Sequence, residues 1–482
     1  MNPMSLVKTT LACLCAVTLM MLGVEVIRAA GFTVASTADV GDSSPGDGIC
    51  DDGSGQCTLR AAIEEANALA GEDTITLTAG VYLLSLGQLN VTSDMVIQGD
   101  NATVDANRQS RVFNISGSNW VTLTELTIQR GREISGAGIY HDGGQLTLVG
   151  VTVTLNSAEF NFASNGGGGI HNRAGVVRLF NTRVISNKSY ENGGGIYNSD
   201  QLFWDGGQLA GNQTAGDDQC AGGGLFNAGG PVAELHNLSV LNNLAKHTGG
   251  GVFTAGELTV TASLFEGNTS GYLPGMPIIG GAGIGVQGTI NPRAVLRDVI
   301  VRRNDSVYGG GGGICIERSA YLEADGLQLY DNKTFMDGGG IGVDCRYYSG
   351  SLLVARGFVE QPMQTWKTVP PAPLGPFAAW PLNPNVILTN VTIYSNTAGG
   401  IGGGIQNNGA RMVIFNSVIR DNRTIAWVYE THGGGIGSES GIVGLDAVRI
   451  ENNYSVRHGG GIYNRGAMHI RNGTIISGNA SG

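Results

Sequence analysis

A glycine-rich signature that recurs along the chain constrains the fold more than any other feature of this sequence. The pattern Gly-[Gly/Ala]-Gly followed by isoleucine, leucine or valine occurs eleven times. Self-similarity of this kind is typical of repeat architectures, in which each unit packs against its neighbours. The apolar members of the signature are Ile139, Ile170, Ile196, Leu225, Val252, Ile284, Ile314, Ile341, Ile405, Ile436 and Ile462.

An asparagine with an apolar residue three positions before it forms a second signature. It also occurs eleven times, and most periods span 25 to 32 residues. The repeated asparagines are Asn156, Asn187, Asn212, Asn243, Asn268, Asn304, Asn332, Asn396, Asn422, Asn453 and Asn479.

Between these signatures each unit consists of short strands with apolar residues at every second position, and no ten-residue helical pattern separates them. The sequence therefore predicts an all-β fold, a single-stranded right-handed parallel β-helix over residues 72–482. Its coils would stack about 4.8 Å apart into a rod of roughly 60 Å. Glycine suits a corner that a Cβ would obstruct, and the asparagine amide suits a hydrogen bond to its equivalent one coil away.

Composition and charge exclude several other classes of protein. Glycine makes up 79 of 482 residues, but no Gly-X-Y triplet runs through the chain, which excludes collagen. Charged residues are only 14% and aliphatic residues are plentiful, which excludes a disordered chain. The net charge of −11 comes without a lysine or arginine block, so we expect no nucleic-acid partner.

The first thirty residues have the layout of a secretory signal peptide. Lys8 precedes an apolar run at 11–24, and cleavage after either Ala29 or Ala30 fits the pattern. The run is shorter than the roughly twenty residues that a membrane-spanning helix needs, although a retained anchor is an alternative. We therefore expect residues 1–30 to be removed, leaving a secreted or cell-surface protein without a membrane span.

The cysteines of the mature chain fit an oxidising compartment. Cys50 and Cys57 enclose a short Asp/Gly loop, and we expect a disulfide between them. The pairing of Cys220, Cys315 and Cys345 stays open, and the odd count leaves at least one thiol unpaired.

Residues 31–71 are predicted to form an N-terminal cap with a short helix. Thr58 opens this helix, and Arg60 and Glu64 are expected to pair one turn apart. The apolar face of the helix would cover the open end of the β-helix core. That face consists of Leu59, Ala62, Ile63, Ala66 and Leu69.

Length variation between repeats is confined to one corner of the predicted coil, after the repeated asparagine, so loops protrude from one flank of the rod. Solenoids commonly bind partners through such loops. An insertion rich in aromatic residues and proline also interrupts one coil at about 344–384. An ordered binding loop and a flexible excursion are both compatible with its composition. Its candidate ligand-binding residues are Tyr347, Tyr348, Trp366 and Trp380.

Two segments resemble known families of exported bacterial proteins. The Gly-Gly-Gly-Ile-Tyr-Asn motifs at 193–198 and 459–464 resemble the repeats of polymorphic outer membrane proteins. The segment Cys57-Thr-Leu-Arg-Ala-Ala-Ile63 resembles the CSLREA domain, with Thr58 in place of serine and Ala61 in place of glutamate. These resemblances imply export and a β-helix, and neither family carries an agreed catalytic set.

Residues directly after the apolar member of the glycine signature form a candidate binding surface. If the apolar member points inward, these residues point outward and their rings form a ladder. Aromatic faces suit sugar stacking or a protein partner, while stacking that only stabilises the sheet is the alternative. The residues are Tyr140, His171, Tyr197, Phe226 and Phe253 on consecutive coils, and then Tyr463.

No metal site is assigned from the sequence, although two places were weighed. His432 and His458 each precede a glycine triplet one coil apart and should be neighbours, but no third ligand matches them. The acidic loop has the oxygen density that Ca²⁺ prefers, so Ca²⁺ is possible there, whereas no other cofactor is expected. This loop contains Asp39, Asp42, Asp47, Asp51 and Asp52.

The leading functional hypothesis is an adhesion or binding scaffold directed at an extracellular glycan or a cell-surface protein. A polysaccharide lyase or glycoside hydrolase is the alternative, because such enzymes also use β-helices, and a passive surface-layer protein is a third possibility. An enzyme needs converging carboxylates. The candidates are Asp217, Asp218, Glu430, Asp446 and Glu451. Because no capping helix follows Asn479, we expect either a longer natural chain or an exposed last coil, and favour the first.

Overall fold

The predicted fold class is confirmed. The computed structural model describes residues 29–160, 166–216, 220–271, 280–288, 291–317, 319–345, 384–425 and 431–482. These residues form a right-handed parallel β-solenoid of about 12 turns, in which every pairing between described strands is parallel. Among the same residues, no helix is both long enough and apolar enough to cross a membrane.

Each full coil has four short faces. The first face follows the glycine corner, and some of its strands continue around the next corner. Its strands are Ile139–Val149, Ile170–Ile185, Ile196–Asn198, Leu225–Asn227, Val252–Thr254, Ile284–Val286, Ile314–Ile316, Ile341–Val343, Ile405–Phe415, Ile436–Asp446 and Ile462–Asn464. The second face is completed by Gln201–Ala210, Val232–Leu241, Glu257–Thr261, Arg293–Arg297, Tyr321–Asp325, Val386–Thr389 and Ala467–Arg471.

The third face ends just before the repeated asparagine, and the fourth face consists of two-residue strands just after it. Third-face strands are Thr152–Thr154, Leu264–Glu266, Ile300–Arg302, Gln328–Tyr330, Thr392–Tyr394, Val418–Arg420, Arg449–Glu451 and Ile475–Ser477. Fourth-face strands are Arg132–Glu133, Ser157–Ala158, Lys188–Ser189, Gln213–Thr214, Leu244–Ala245, Thr269–Ser270, Asp305–Ser306, Lys333–Thr334, Thr397–Ala398, Arg423–Thr424, Tyr454–Ser455 and Ala480–Ser481.

The N-terminal coils are less regular and carry the cap. Their strands are Gly31–Thr33, Asp73–Thr76, Val81–Leu83, Leu89–Val91, Met95–Asp105, Phe113–Ser116 and Trp120–Gln129. The predicted helix spans Leu59–Ala68, and the Thr58 hydroxyl accepts the Ala61 N–H at 3.1 Å as its N-cap. Its buried face joins a continuous apolar core that extends from Phe32 to Ile450.

The expected ion pair between Arg60 and Glu64 is wrong. Arg60 instead bonds Asp39 at 2.7 Å and the backbone carbonyl of Gln88, while Glu64 accepts the N–H of Asp42. The physical reason is that Arg60 lies on the buried side of the helix, where desolvation favours a close carboxylate over a solvated partner one turn away.

The repeated asparagines form a continuous asparagine ladder, defined here as the eleven residues from Asn156 to Asn479. Each side-chain NH₂ donates to the side-chain oxygen of the next asparagine at 2.9 to 3.1 Å, and each backbone N–H donates to that same oxygen. The residue before every ladder asparagine has φ between +53° and +68°. The predicted coil-to-coil amide bonding is therefore confirmed.

The glycine corners bring backbones of adjacent coils into close approach. Gly222 has φ +68°, which most side-chain-bearing residues adopt only with strain. A Cβ at Gly223 would lie 2.4 Å from the carbonyl oxygen of Gly250 on the next coil. Glycine is therefore required at this corner by both conformation and space.

Removal of one ladder asparagine should destabilise the protein strongly. In Asn243→Ala, the amides of Asn212 and the side-chain oxygen of Asn268 lose buried partners. We expect the free energy of unfolding to fall by about 2–4 kcal/mol, because buried groups left without partners cost about 1–3 kcal/mol each. Denaturant unfolding measures this, with Asn114→Ala at a half-buried, outward-facing strand position as the control. Equal stability of the two variants would contradict a structural role for the ladder.

Candidate functional site

The structure brings the five predicted rings together in an aromatic ladder, defined as Tyr140, His171, Tyr197, Phe226 and Phe253. Neighbouring ring centroids lie 5.2, 4.9, 5.0 and 5.0 Å apart in chain order. The last three rings are nearly parallel, with interplanar angles of 12° and 13°. In these last three residues, each ring is therefore stacked against the face of the next ring.

The aromatic ladder is also largely covered from solvent. His171 is 3% exposed, and Tyr197 and Phe253 are each 8% exposed. The glycine corner causes part of this burial, since a Cβ at Gly249 would lie 2.6 Å from the Cβ of Phe253. A ligand role for Tyr140, Tyr197, Phe226 and Phe253 stays a prediction, and in this geometry only ring edges are open to it.

His171 is held as a neutral ring inside the aromatic ladder. Burial lowers its pKa to about 4. Its Nδ1 lies 3.2 Å from the Gly166 carbonyl oxygen, which requires Nδ1 to donate, and its Nε2 has no hydrogen-bond partner among the described residues. His141, on the inner side of the wall, has a pKa lowered by burial for the same reason.

These shifts predict a loss of stability in mild acid. The ordinary histidine pKa is near 6.5. Between pH 6.5 and 4, His171 is therefore protonated in the unfolded chain but still neutral in the folded protein. The contribution of neutral His171 to the free energy of unfolding is fully present above pH 6.5. It is lost as the pH falls through this range, and the loss from His171 alone is about 3 kcal/mol at pH 4. The free energy of unfolding measured across this range should fall less steeply in His171→Phe, whereas Phe226→Leu, which alters a neighbouring ring and removes no titratable group, should keep the original slope. An unchanged slope in His171→Phe would contradict this assignment.

A different aromatic surface lies on the outer side of the second face. We call it the outer platform, defined as Trp120, Val149, Phe180, Arg178 and Phe203. Trp120 is 61% exposed, Phe180 40% and Val149 37%. These residues alternate with buried neighbours along their strands, which places them on the outside of the wall.

The strands that carry the outer platform pair in register, so its side chains stand in aligned columns. Trp120 lies beside Gln145, Val149 beside Phe180, and Arg178 beside Phe203. The set spans four adjacent coils, about 14 Å along the rod at ~4.8 Å per step. The Arg178 guanidinium lies 5.5 Å from the Phe203 ring centroid and donates to Gln145 Oε1 at 2.7 Å.

The outer platform was not predicted from the sequence. The available signal was the alternation of Trp120 with Val121 and Leu123, which places the indole outside the core. An isolated tryptophan is less conspicuous in a sequence than a residue that recurs with the repeat.

A small cleft lies at the N-terminal strands of the fourth face and the residues just after them. It has a volume of about 290 Å³. Glu159 accepts from Arg132 at 3.1 Å, and Glu133 accepts its neighbouring Ile134 N–H at 2.9 Å. Both carboxylates are therefore already engaged. The lining residues are Arg108, Gln109, Arg132, Glu133, Ile134 and Glu159.

The carboxylates considered for catalysis are not gathered in the part of the chain that the structure describes. Asp446 accepts from Asn472 at 2.8 Å, and Glu451 accepts from Arg449 at 2.8 Å. These two acids end strands on different faces, and no contact joins them. Asp217, Asp218 and Glu430 lie outside the described residues, as do Tyr347, Tyr348, Trp366 and Trp380 of the insertion.

The two places weighed for metals hold other contacts. His432 and His458 stack at 5.1 Å as expected, and Tyr463 stacks on His432 at 4.3 Å. The acidic loop uses its carboxylates to accept backbone N–H groups, for example from Gly53 and Gly55 to Asp51. No group of three or more potential metal ligands occurs among the described residues.

Two disulfides occur among the cysteines that the structure describes. Cys50 and Cys57 are joined, as expected from their loop, and Cys315 is joined to Cys345. Cys220 lies outside both and is buried, with its Sγ 3.5 Å from the Tyr190 carbonyl oxygen.

A scan against protein-family models, a search of curated proteins and a search of solved structures found no match to this chain. The resemblance to polymorphic outer membrane repeats and the CSLREA domain therefore stays a prediction. The β-helix itself fits either a binding scaffold or a polysaccharide-active protein.

Proposed function

We propose that this protein is an exported binding scaffold that holds glycan chains against the outer platform. The observation that carries the proposal is the exposure of Trp120 and Phe180 on one in-register sheet surface. Large apolar side chains exposed together on a soluble protein are typical of an interaction site.

The chemistry of the outer platform suits a sugar better than an apolar ligand. Ring faces pack against the C–H surfaces of sugars, and nearby polar groups bond their hydroxyls. Thr122, Thr147 and Arg178 share one outward column. Because Arg178 uses one N–H group to reach Gln145, its remaining donors are available for hydroxyl or carboxylate oxygens.

Export is supported by two independent features. The first thirty residues have the layout of a signal peptide. Disulfides such as these two are typical of proteins that fold in an oxidising compartment and are rare in the cytosol of most organisms.

Binding to a panel of immobilised polysaccharides tests this proposal. We expect Trp120→Ala and Phe180→Ala each to weaken binding at least about tenfold, which corresponds to ~1.4 kcal/mol. Tyr454→Ala is the matched control, because Tyr454 is 43% exposed but lies on the fourth face. Its affinity should equal that of the wild type.

Three outcomes would count against the proposal. Absence of binding to every polysaccharide would favour a passive surface-layer protein. Equal losses in Tyr454→Ala and Trp120→Ala would place the site elsewhere. Appearance of shortened chains, detected as new reducing or unsaturated ends, would favour a polysaccharide-cleaving enzyme, and Glu159→Gln would then test the cleft.

A further inference from the structure

Asp73 is a fully buried carboxylate at the start of strand Asp73–Thr76. Its Oδ1 accepts the Ala30 N–H at 2.7 Å, while its Oδ2 has no hydrogen-bond partner among the described residues. Burial raises the pKa of this carboxyl despite that bond. No basic side chain within the described ranges forms an ion pair with it. A buried carboxylate in this situation lacks a compensating positive charge.

Ala30 is fixed beside Asp73 by the backbone. Its carbonyl oxygen accepts the Thr74 N–H at 2.8 Å, and strand Gly31–Thr33 pairs in register with Thr74 to Thr76. Ala30 also packs against the apolar core, whereas Ala29 is exposed. The Ala30 nitrogen is therefore positioned by the sheet.

The sequence before Ala30 favours one of the two possible cleavage points. A cut after Ala29 places alanine at the last position and uncharged Ile27 at the third position before the cut. A cut after Ala30 places the charged Arg28 at that third position. A signal-peptidase site takes a small residue just before the cut and disfavours a charge at the third position before it, and only the cut after Ala29 meets both conditions.

We infer that signal cleavage falls between Ala29 and Ala30, and that the new α-ammonium group of Ala30 pairs with the buried carboxylate of Asp73. A signal peptidase would hydrolyse the peptide bond with one water molecule. The C–N bond breaks, Ala29 keeps the new carboxylate on the released peptide, and Ala30 carries the new ammonium.

The α-ammonium group of Ala30 offers Asp73 a positive charge and additional N–H donors, which the peptide amide does not have. It has more N–H groups than a peptide nitrogen, so it can bond both Asp73 oxygens, and its charge favours the ionised carboxylate. Among the described residues of the uncut chain, no positive charge compensates the same carboxylate. Cleavage thus stabilises the cap end of the β-helix. The inference shares with the proposed glycan binding only the premise of export.

The first test locates the new terminus. The full chain is expressed in a secreting host, and the N-terminus of the exported protein is identified by intact mass and terminal sequencing. We expect it to begin at Ala30. A terminus at Gly31 or elsewhere, or an uncut chain, overturns the inference, whereas a failure of glycan binding leaves this readout unchanged.

The second test measures the ion pair. Protein beginning at Ala30 is compared with the same protein carrying one added glycine before Ala30, each with Asp73 and with Asp73→Asn. We expect the added residue to lower the denaturant midpoint with Asp73 and to have little effect with Asp73→Asn. An equal effect in both backgrounds, or none in either, overturns the pairing.

A third readout does not depend on folding of the variants. In folded protein beginning at Ala30, acylation of the α-amine should be at least about tenfold slower than in denaturant, because the amine is half-buried and paired with a buried carboxylate. Mass spectrometry of the terminal peptide reports this rate, and the exposed Lys333 side chain is an internal control. Equal protection of the two amines overturns the pairing.

Discussion

Each coil must lie directly above the previous one, with equivalent backbone atoms one coil spacing apart. The rest of the structure depends on this constraint. An asparagine side chain meets it because one amide both accepts from the previous coil and donates to the next. Its polar groups are satisfied only while the coils stay in register, since a shift of one residue would exchange inward and outward positions. The asparagine ladder therefore fixes the register and the glycine corners allow the close approach that the register requires.

The same constraint determines which aromatic surfaces are open to ligands. Rings at equivalent positions of adjacent coils stack, so Tyr197 and Phe226 cover each other, as do Tyr330 and Tyr394 at 4.6 Å. A ring keeps an open face only when its neighbours in the column are not rings. Phe180 lies between Val149 and Asp205, which explains why its ring is exposed. Isolated rings, rather than repeated ones, are the better binding candidates on a β-helix.

Much of this fold could be predicted from the sequence, because the same glycine and asparagine signatures recur in every repeat. The asparagine and glycine corners and the inward direction of the apolar members follow from period and alternation alone. Burial of Tyr197 could not be predicted, since it depends on how closely the glycine corner folds against its own strand. The disulfide partner of Cys315 could not be predicted from the sequence either. Cys345 returns over Gly342, the register neighbour of Cys315, and register is known only from coordinates.

The cap is the part of the molecule where local sequence rules were weakest, because its contacts join residues far apart in the chain. Arg60 reaches Asp39, and the carboxylate of Glu65 accepts backbone N–H groups from Gly46 and Gly48 in the loop just before Cys50. In a solenoid each coil is stabilised by its neighbours, so an end coil lacks half of that support. The buried charges of the cap compensate through tertiary contacts for what stacking does not supply. Their arrangement makes the first coil depend on the loop before the helix rather than on the repeat.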